Sequence, residues 1–184
     1  SFMNKSLLFY FAAAQVEQEI MAVPASFERG RVRKGSNKEQ RDLFLRRFNK
    51  PNDPAMIQFL AERVEMSASF KNRLFEIVLD SRFPLSGAED QHLLNAAANA
   101  ITILVASSYD FSKVDLSRIR VPGANLSKGI FKGTILTEAD LSACQVDGAV
   151  FDDAVGYVPP LKIVAPSPSP AQQSSSPDVI PGSA

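Results

Sequence analysis

A five-residue period in the apolar side chains constrains this chain more than any other feature. It runs through residues 109–153 as nine consecutive blocks, and the third residue of every block is apolar. These third-position residues are Phe111, Leu116, Val121, Leu126, Phe131, Leu136, Leu141, Val146 and Phe151. Because a helix repeats every ~3.6 residues and a strand every two, a period of five requires a turn after each short extended piece.

The geometry of each block follows from this period. Residues two apart in an extended segment point the same way, so positions one and three should face inward and position two outward. Positions four and five are rich in Ser, Lys, Gly, Asp and Thr, which favour a corner. Four sides then close a square coil, and coils stack at about 4.8 Å as a solenoid whose core is the third-position set.

Three of the blocks resemble a known repeat. ADLSA, ANLSK and VDLSR are similar to the A(D/N)Lxx pattern of pentapeptide-repeat proteins. The resemblance implies a right-handed quadrilateral β-helix. Nine blocks make slightly more than two coils, so both ends of the stack would expose backbone groups unless something covers them.

Helical patterns fill the N-terminal half of the chain. We predict helices over residues 5–21, 37–48, 53–65, 69–79 and 88–106. Asp53 before Pro54 is a start signal, and Ser86 with Glu89 has capping-box spacing. The last helix ends three residues before Tyr109, so we expect it to cap the first coil.

The fold class is therefore predicted as α+β. Residues 1–107 should form a helical region that caps the solenoid, and residues 108–157 the solenoid itself. Residues 159–184 hold seven prolines and six serines. Such a composition cannot offset its ordering entropy by burial, so we predict a disordered tail over residues 158–184.

The totals limit the possible compartments and partners. The chain has 184 residues with 20 basic and 20 acidic side chains, so no net field steers it toward nucleic acid or a membrane. Its single cysteine cannot form an internal disulfide, which favours a reducing, cytoplasmic setting. The longest apolar run, residues 93–106, is too short to span a bilayer. Lys5 followed by LLFYFAAA imitates a signal peptide, but an amphipathic helix is the interpretation we favour because no cysteine-rich secreted domain follows.

Parts of the helical half resemble a second family. Four segments are similar to the middle region of fungal NACHT-type (STAND) signalling NTPases. They are NKSLLFYFAA, LFLRRFNKPNDPAMIQFLAERV, AAANAITILV and VDLSRIRVPGANLSKGIF. In those proteins an NTPase core precedes this region and WD-type propeller repeats follow it. The resemblance implies that the chain is a fragment of such a protein and links the NTPase core to a downstream sensor domain.

The sequence offers no catalytic constellation. GxxxxGK[ST] does not occur, so a phosphate-binding loop is missing, and one His with one Cys cannot complete a zinc site. We interpret His92 as a helical residue and Cys144 as a small inward thiol. The carboxylates of the repeat serve its corners and its outer surface: Asp110, Asp115, Asp140, Asp147, Asp152 and Asp153. We expect no enzyme activity, no metal site and no cofactor.

The sharpest charge feature lies in residues 29–50. Only Glu28, Glu39 and Asp42 oppose its nine basic residues. The basic residues are Arg29, Arg31, Arg33, Lys34, Lys38, Arg41, Arg46, Arg47 and Lys50. Such a patch could dock nucleic acid, an acidic lipid surface or an acidic partner. No aromatic platform accompanies it, so we favour a solvated surface, with an electrostatic contact to a neighbouring domain as the next interpretation.

These features favour one function over two others. We predict a non-catalytic scaffold that binds a protein partner or neighbouring domains of a parent chain, with the oligomeric state left open. The alternative is a DNA-mimicking topoisomerase inhibitor, but nine blocks give only roughly 10 Å of stack and the chain is neutral. An enzyme site between helices and solenoid is the third.

Overall fold

A computed structural model describes residues 2–22 and 54–159. The described residues form four α-helices, α1 (Phe2–Ala22), α2 (Pro54–Met66), α3 (Ala68–Asp80) and α4 (Ala88–Ala106), and the repeat follows at once. The predicted helix over residues 37–48, the basic patch and nearly all of the predicted disordered tail lie outside the described residues.

The helix ends show where local sequence signals act. Pro54 is the first residue of α2, as the sequence predicts. The hydroxyl oxygen of Ser67 caps α3 by accepting from the backbone N–H of Phe70 at 3.2 Å. The predicted capping box at Ser86 is wrong, because the N-cap of α4 is Gly87, which has φ 63° and no side chain to accept a hydrogen bond.

The four helices pack into a core that continues into the repeat. Inward residues of α1, α2 and α3 meet one another, and α4 is buried on almost every side between them and the first coil. The buried residues that build this core include Ala13, Val16, Ile20, Leu60, Val64, Phe70, Leu74, Val78, Ala97, Ile101 and Leu104. Small alanines on α4 allow the close approach of its neighbours.

Parallel bridges join residues twenty apart along the repeat and define four sides. Each side contributes single bridged residues rather than a continuous strand, since a turn follows after every third residue. The first side is Asp110, Ile130 and Val150; the second is Asp115, Ile135 and Val155; the third is Arg120 and Asp140; the fourth is Asn125 and Gln145. Up to residue 159, where the described part of the repeat ends, two sides therefore carry three rungs and two sides carry two.

Backbone hydrogen bonds between coils repeat block by block. The N–H at position three donates to the position-two carbonyl of the next coil, as from Phe111 to Ile130 at 2.9 Å. The N–H at position two donates back to the position-one carbonyl of the preceding coil, as from Ile135 to Val114 at 3.0 Å. A coil inside the stack therefore donates hydrogen bonds both to the next coil and to the preceding one.

The corners are tight turns with one left-handed residue. The position-one N–H donates to the preceding position-three carbonyl, and the position-five residue between them has positive φ in all nine blocks, from 56° at Ala143 to 74° at Gly123. This combination is the signature of a type II turn, for which Pro122 and Gly123 are the preferred central pair. Six of the nine position-five residues are not glycine.

The third-position side chains point into the solenoid. Seven of them are buried, from Phe111 to Leu141, while Val146 and Phe151 in the last blocks are half-buried. The position-one residues are buried or partly buried beside them, so two inward rows per side fill the interior. The exposure rises only where the stack runs out of coils to cover it.

Candidate interaction surfaces

The helical region meets the first coil through hydroxyl groups that stand in for backbone carbonyls. In later coils the position-two N–H bonds to the coil before it, but the first coil has no predecessor. The N–H of Arg120 instead donates to the hydroxyl of Ser81 at 2.9 Å, and that of Asn125 donates to the hydroxyl of Thr102 at 3.0 Å. Both hydroxyls also donate a hydrogen bond to a helix carbonyl, so every group in these two links has a hydrogen-bond partner.

A partly buried ion pair strengthens the same junction. The guanidinium of Arg120 forms two hydrogen bonds with the carboxylate of Asp90, at 2.7 and 2.8 Å, and its Nε donates to the Ser81 carbonyl. Asp90 also accepts from the backbone N–H of Leu85 at 2.8 Å. Hydrogen bonding from Arg120 holds the pKa of Asp90 below its usual value, because it stabilises the ionised carboxylate.

Two buried polar side chains link the coils from inside. Thr134 and Cys144 occupy position one, where most blocks have an apolar residue. The Thr134 hydroxyl donates to the Phe111 carbonyl at 2.7 Å, and the Cys144 thiol donates to the Val121 carbonyl at 3.2 Å. Each link joins residues 23 positions apart. Because both side chains have a hydrogen-bond partner, neither places an unsatisfied polar group in the interior. Burial raises the pKa of Cys144 to about 11, which makes it a poor nucleophile.

An aromatic column runs through the solenoid beside the first side. Phe111, Phe131 and Phe151 stack with ring centroids 5.0 Å apart, and Tyr157 stacks on Phe151 at 3.8 Å. At the far end of the repeat, Tyr157 lies over this aromatic column.

The outer surface changes character along the stack. Position two is charged on the first coil of the first two sides, at Asp110 and Asp115. On the next rungs of the same sides it is β-branched and apolar, with exposures of 39 to 56 % at Ile130, Ile135, Val150 and Val155. We call these four side chains the outer apolar strip. The core does not need them, since it is filled by positions one and three.

A cleft lies between α2, α4 and the fourth side of the solenoid. Its volume is ≈ 380 Å³, and the described residues that line it bring amides and hydroxyls beside aliphatic groups but no charged side chain. The polar lining residues are Gln58, Asn99, Thr102, Asn125, Ser127 and Gln145. Asn125 turns its side-chain oxygen to the N–H of Ser127. Among the described lining residues, no general acid, general base or nucleophile is arranged as catalysis requires.

The remaining candidates for chemistry are dispersed. Over residues 2–22 and 54–159, no three His, Cys, Asp or Glu side chains cluster as metal ligands would. His92 lies half-buried on α4, far along the chain from Cys144 on the fourth side. In the same part of the chain, no helix has the length and apolarity needed to cross a bilayer. All nine residues of the basic patch fall outside the described ranges.

Comparison with known families agrees with the repeat geometry. Residues 110–153 match the family model for pentapeptide repeats, in eight copies. No match was found among curated proteins or among solved structures. Nothing in these comparisons supports the resemblance to NACHT-type NTPases. Residues 110–153, which include Ile130, Ile135 and Val150 of the outer apolar strip, are therefore similar to pentapeptide repeats.

Proposed function

We propose that this chain is a non-catalytic protein-interaction module that presents the outer surface of a rigid repeat stack. The proposal includes a right-handed quadrilateral β-helix over residues 108–157. Bridges at twenty-residue intervals on four sides support four-sidedness, and the resemblance to the pentapeptide pattern supports the hand.

One observation carries the proposal, namely the outer apolar strip. A side chain at position two lies outside the core, so an apolar residue there is not needed to fill the interior of the stack. Four β-branched residues on two adjacent sides are more than the scattered exposed aliphatics of an ordinary surface. A protein partner that covers the strip would gain about 25 cal/mol for each Å² of apolar surface removed from water.

The place of the module in a larger protein stays a prediction. The resemblance of the segment around Leu8 and of the segment that contains Pro54 to NACHT-type proteins motivates it. In that arrangement the helices would contact an NTPase core and the repeat stack would set the distance to a sensor domain. A rigid tie such as Arg120 to Asp90 suits that role, because it fixes the stack relative to the helices.

Matched surface variants test the interaction. The double variant Ile130→Lys/Ile135→Lys removes the apolar character of one rung on each side and adds two positive charges, while Gln145→Lys adds one positive charge on the fourth side. We expect a protein captured from the source organism by the wild type and by Gln145→Lys to be lost with the double variant. Purified and titrated calorimetrically, that protein should bind the double variant at least about tenfold more weakly.

Folding and turnover controls complete the experiment. All three proteins should melt at similar temperatures, since the substituted side chains point to solvent. ATP with magnesium should not raise the melting temperature of the wild type, because a ligand of the native state must do so. Equal capture by all three variants, or a nucleotide-dependent shift with turnover, would contradict an interaction module that acts through this strip.

A further inference from the structure

The first side of the solenoid presents two apolar side chains in line along the stack. Ile130 on its second rung and Val150 on its third rung are 42 % and 39 % exposed, and they form the first-side half of the outer apolar strip. Successive rungs are about 4.8 Å apart, so the two side chains make a short apolar ridge. A partner that removes the ridge from water has to span both rungs.

Charged corners border this ridge, and the sign of their charge reverses from one rung to the next. The corners before and after the second rung each carry an exposed lysine, and those before and after the third rung carry exposed aspartates. These residues are Lys128 and Lys132 at the second rung, and Asp147, Asp152 and Asp153 at the third. The second side lacks this pattern, because Arg118 and Glu138 at its other corner pair with each other at 3.0 Å.

The backbone groups beneath the ridge already bond from coil to coil. The Ile130 carbonyl accepts from the N–H of Phe111 at 2.9 Å. The Val150 carbonyl accepts from the N–H of Phe131 at 2.8 Å, and the Val150 N–H donates to the Gly129 carbonyl at 2.9 Å. An extended segment laid on this face would therefore leave its own peptide groups unpaired. A helix satisfies its backbone internally and contacts the face through side chains alone.

A single helix also matches this face in width and in repeat. Three extended residues between two corners span roughly 10 Å, close to the diameter of an α-helix with its side chains, about 10–12 Å. One helical turn rises about 5.4 Å, so apolar residues one turn apart can cover Ile130 and Val150 on rungs about 4.8 Å apart.

We propose that the first side docks an amphipathic helix of another protein, which lies along the stack. Its apolar stripe covers Ile130 and Val150, acidic side chains flank the stripe at the second rung, and basic side chains flank it one turn further on. This inference rests on the proposed function, since it names the class of partner for one half of the outer apolar strip. The charges fix the helix along the stack, because a shift by one rung sets like charges against each other.

Two synthetic peptides of identical composition test the order of the charges. Each has a leucine stripe and is held helical by lactam bridges on its outer face. The ordered peptide has glutamates on both flanks at one turn and lysines on both flanks at the next. The mixed peptide has glutamate then lysine on one flank and lysine then glutamate on the other. In fluorescence anisotropy at low salt, the wild type should bind the ordered peptide about tenfold more tightly, because its four exposed ion pairs add up instead of cancelling. The difference should shrink in 1 M NaCl.

A charge exchange on the protein should reverse this preference. Lys132→Asp/Asp152→Lys/Asp153→Ser inverts the order of the charges at one corner and leaves the other corner unchanged. The variant should therefore bind the mixed peptide more tightly than the ordered one, and that binding also shows that it is folded. Arg118→Asp, a charge reversal at the far corner of the second side, should keep the preference of the wild type.

Single changes in the outer apolar strip identify the side that binds. Ile130→Ser should weaken binding of the ordered peptide by at least about fivefold, because it removes half of the ridge. Ile135→Ser, on the second side at the same rung, should leave the affinity unchanged.

Equal binding of both peptides by the wild type, or binding of neither, would overturn the helix as the occupant. A dimer of the chain alone that Ile130→Ser dissociates would also overturn it, because a second copy would then cover this side. In each case, a captured protein that is lost with Ile130→Lys/Ile135→Lys would leave the proposed function standing. If capture also ignored that double variant, the proposed function would fail as well.

Discussion

Gly129 shows how closely single residues are fitted inside the coil. It occupies position one, where the other blocks have side chains as large as Tyr. A β-carbon there would lie 2.5 Å from Cε2 of Phe131 and 3.0 Å from the Leu126 carbonyl oxygen. The stacked column of Phe111, Phe131 and Phe151 fills the space that a side chain at Gly129 would need.

We therefore expect Gly129→Ala to lower the free energy of unfolding by about 1–3 kcal/mol in urea denaturation. The second-site change Phe131→Leu removes the ring that the new methyl group meets. In the double variant the two effects should be non-additive, with a coupling of at least about 0.5 kcal/mol. Strict additivity would show that the Leu126 carbonyl, and not the ring, excludes a side chain at this position.

At the scale of elements, the junction between α4 and the first coil depends on the pair of Asp90 and Arg120. Their side chains are 23 % and 21 % exposed, and the contact is bidentate. Asp90→Asn should lower the unfolding free energy by about 2 kcal/mol at neutral pH, because hydrogen bonds to charged groups are worth more than neutral ones. Glu138→Gln is the matched control, since the Arg118–Glu138 pair is about two-thirds exposed and should contribute almost nothing.

The same pair predicts a pH dependence with a definite sign. The pKa of Asp90 is depressed in the folded state, so its contribution to stability is complete above the ordinary carboxyl pKa of about 3.9. It is lost as the pH falls below that value toward the folded-state pKa. The difference in unfolding free energy between wild type and Asp90→Asn should therefore shrink on acidification. A difference that stays constant down to pH values well below 3.9 would contradict the assigned role.

Over the whole molecule, one continuous core joins helices and solenoid. Leu126 is buried in the first coil, within the same cluster as the α4 residues Ile101 and Leu104. Leu126→Ala should therefore lower the free energy of unfolding by about 3–5 kcal/mol. The melting temperatures of the helical signal and of the repeat signal should fall together. Val158→Ala, at a side chain 73 % exposed, should leave both unchanged. Two separate transitions in the Leu126 variant would show that helices and repeats unfold as independent units.

The sequence alone predicted the inward-facing residues and the spacing between coils, and it missed the corner conformation and the contacts with the helices. The period of five places the third-position residues inside, and the bridges of Asp110 to Ile130 and its equivalents follow the expected twenty-residue spacing. The left-handed φ at position five was not predicted, because six of the nine residues there, such as Lys113 and Glu138, are not glycine. The links from Ser81 and Thr102 to the coil join residues 39 and 23 positions apart, which no local pattern reveals.

The hydroxyl anchors at Ser81 and Thr102 also set the angular phase of everything beyond them. Because one circuit of the stack takes four blocks, deleting a single block would rotate all later outward side chains by a quarter turn against the helices. Deleting four blocks would shorten the stack by about 4.8 Å and leave the direction of every later outward side chain unchanged. The length of the stack can therefore change in steps of twenty residues. The direction in which its outward side chains face, relative to the helices, can change separately in steps of five residues.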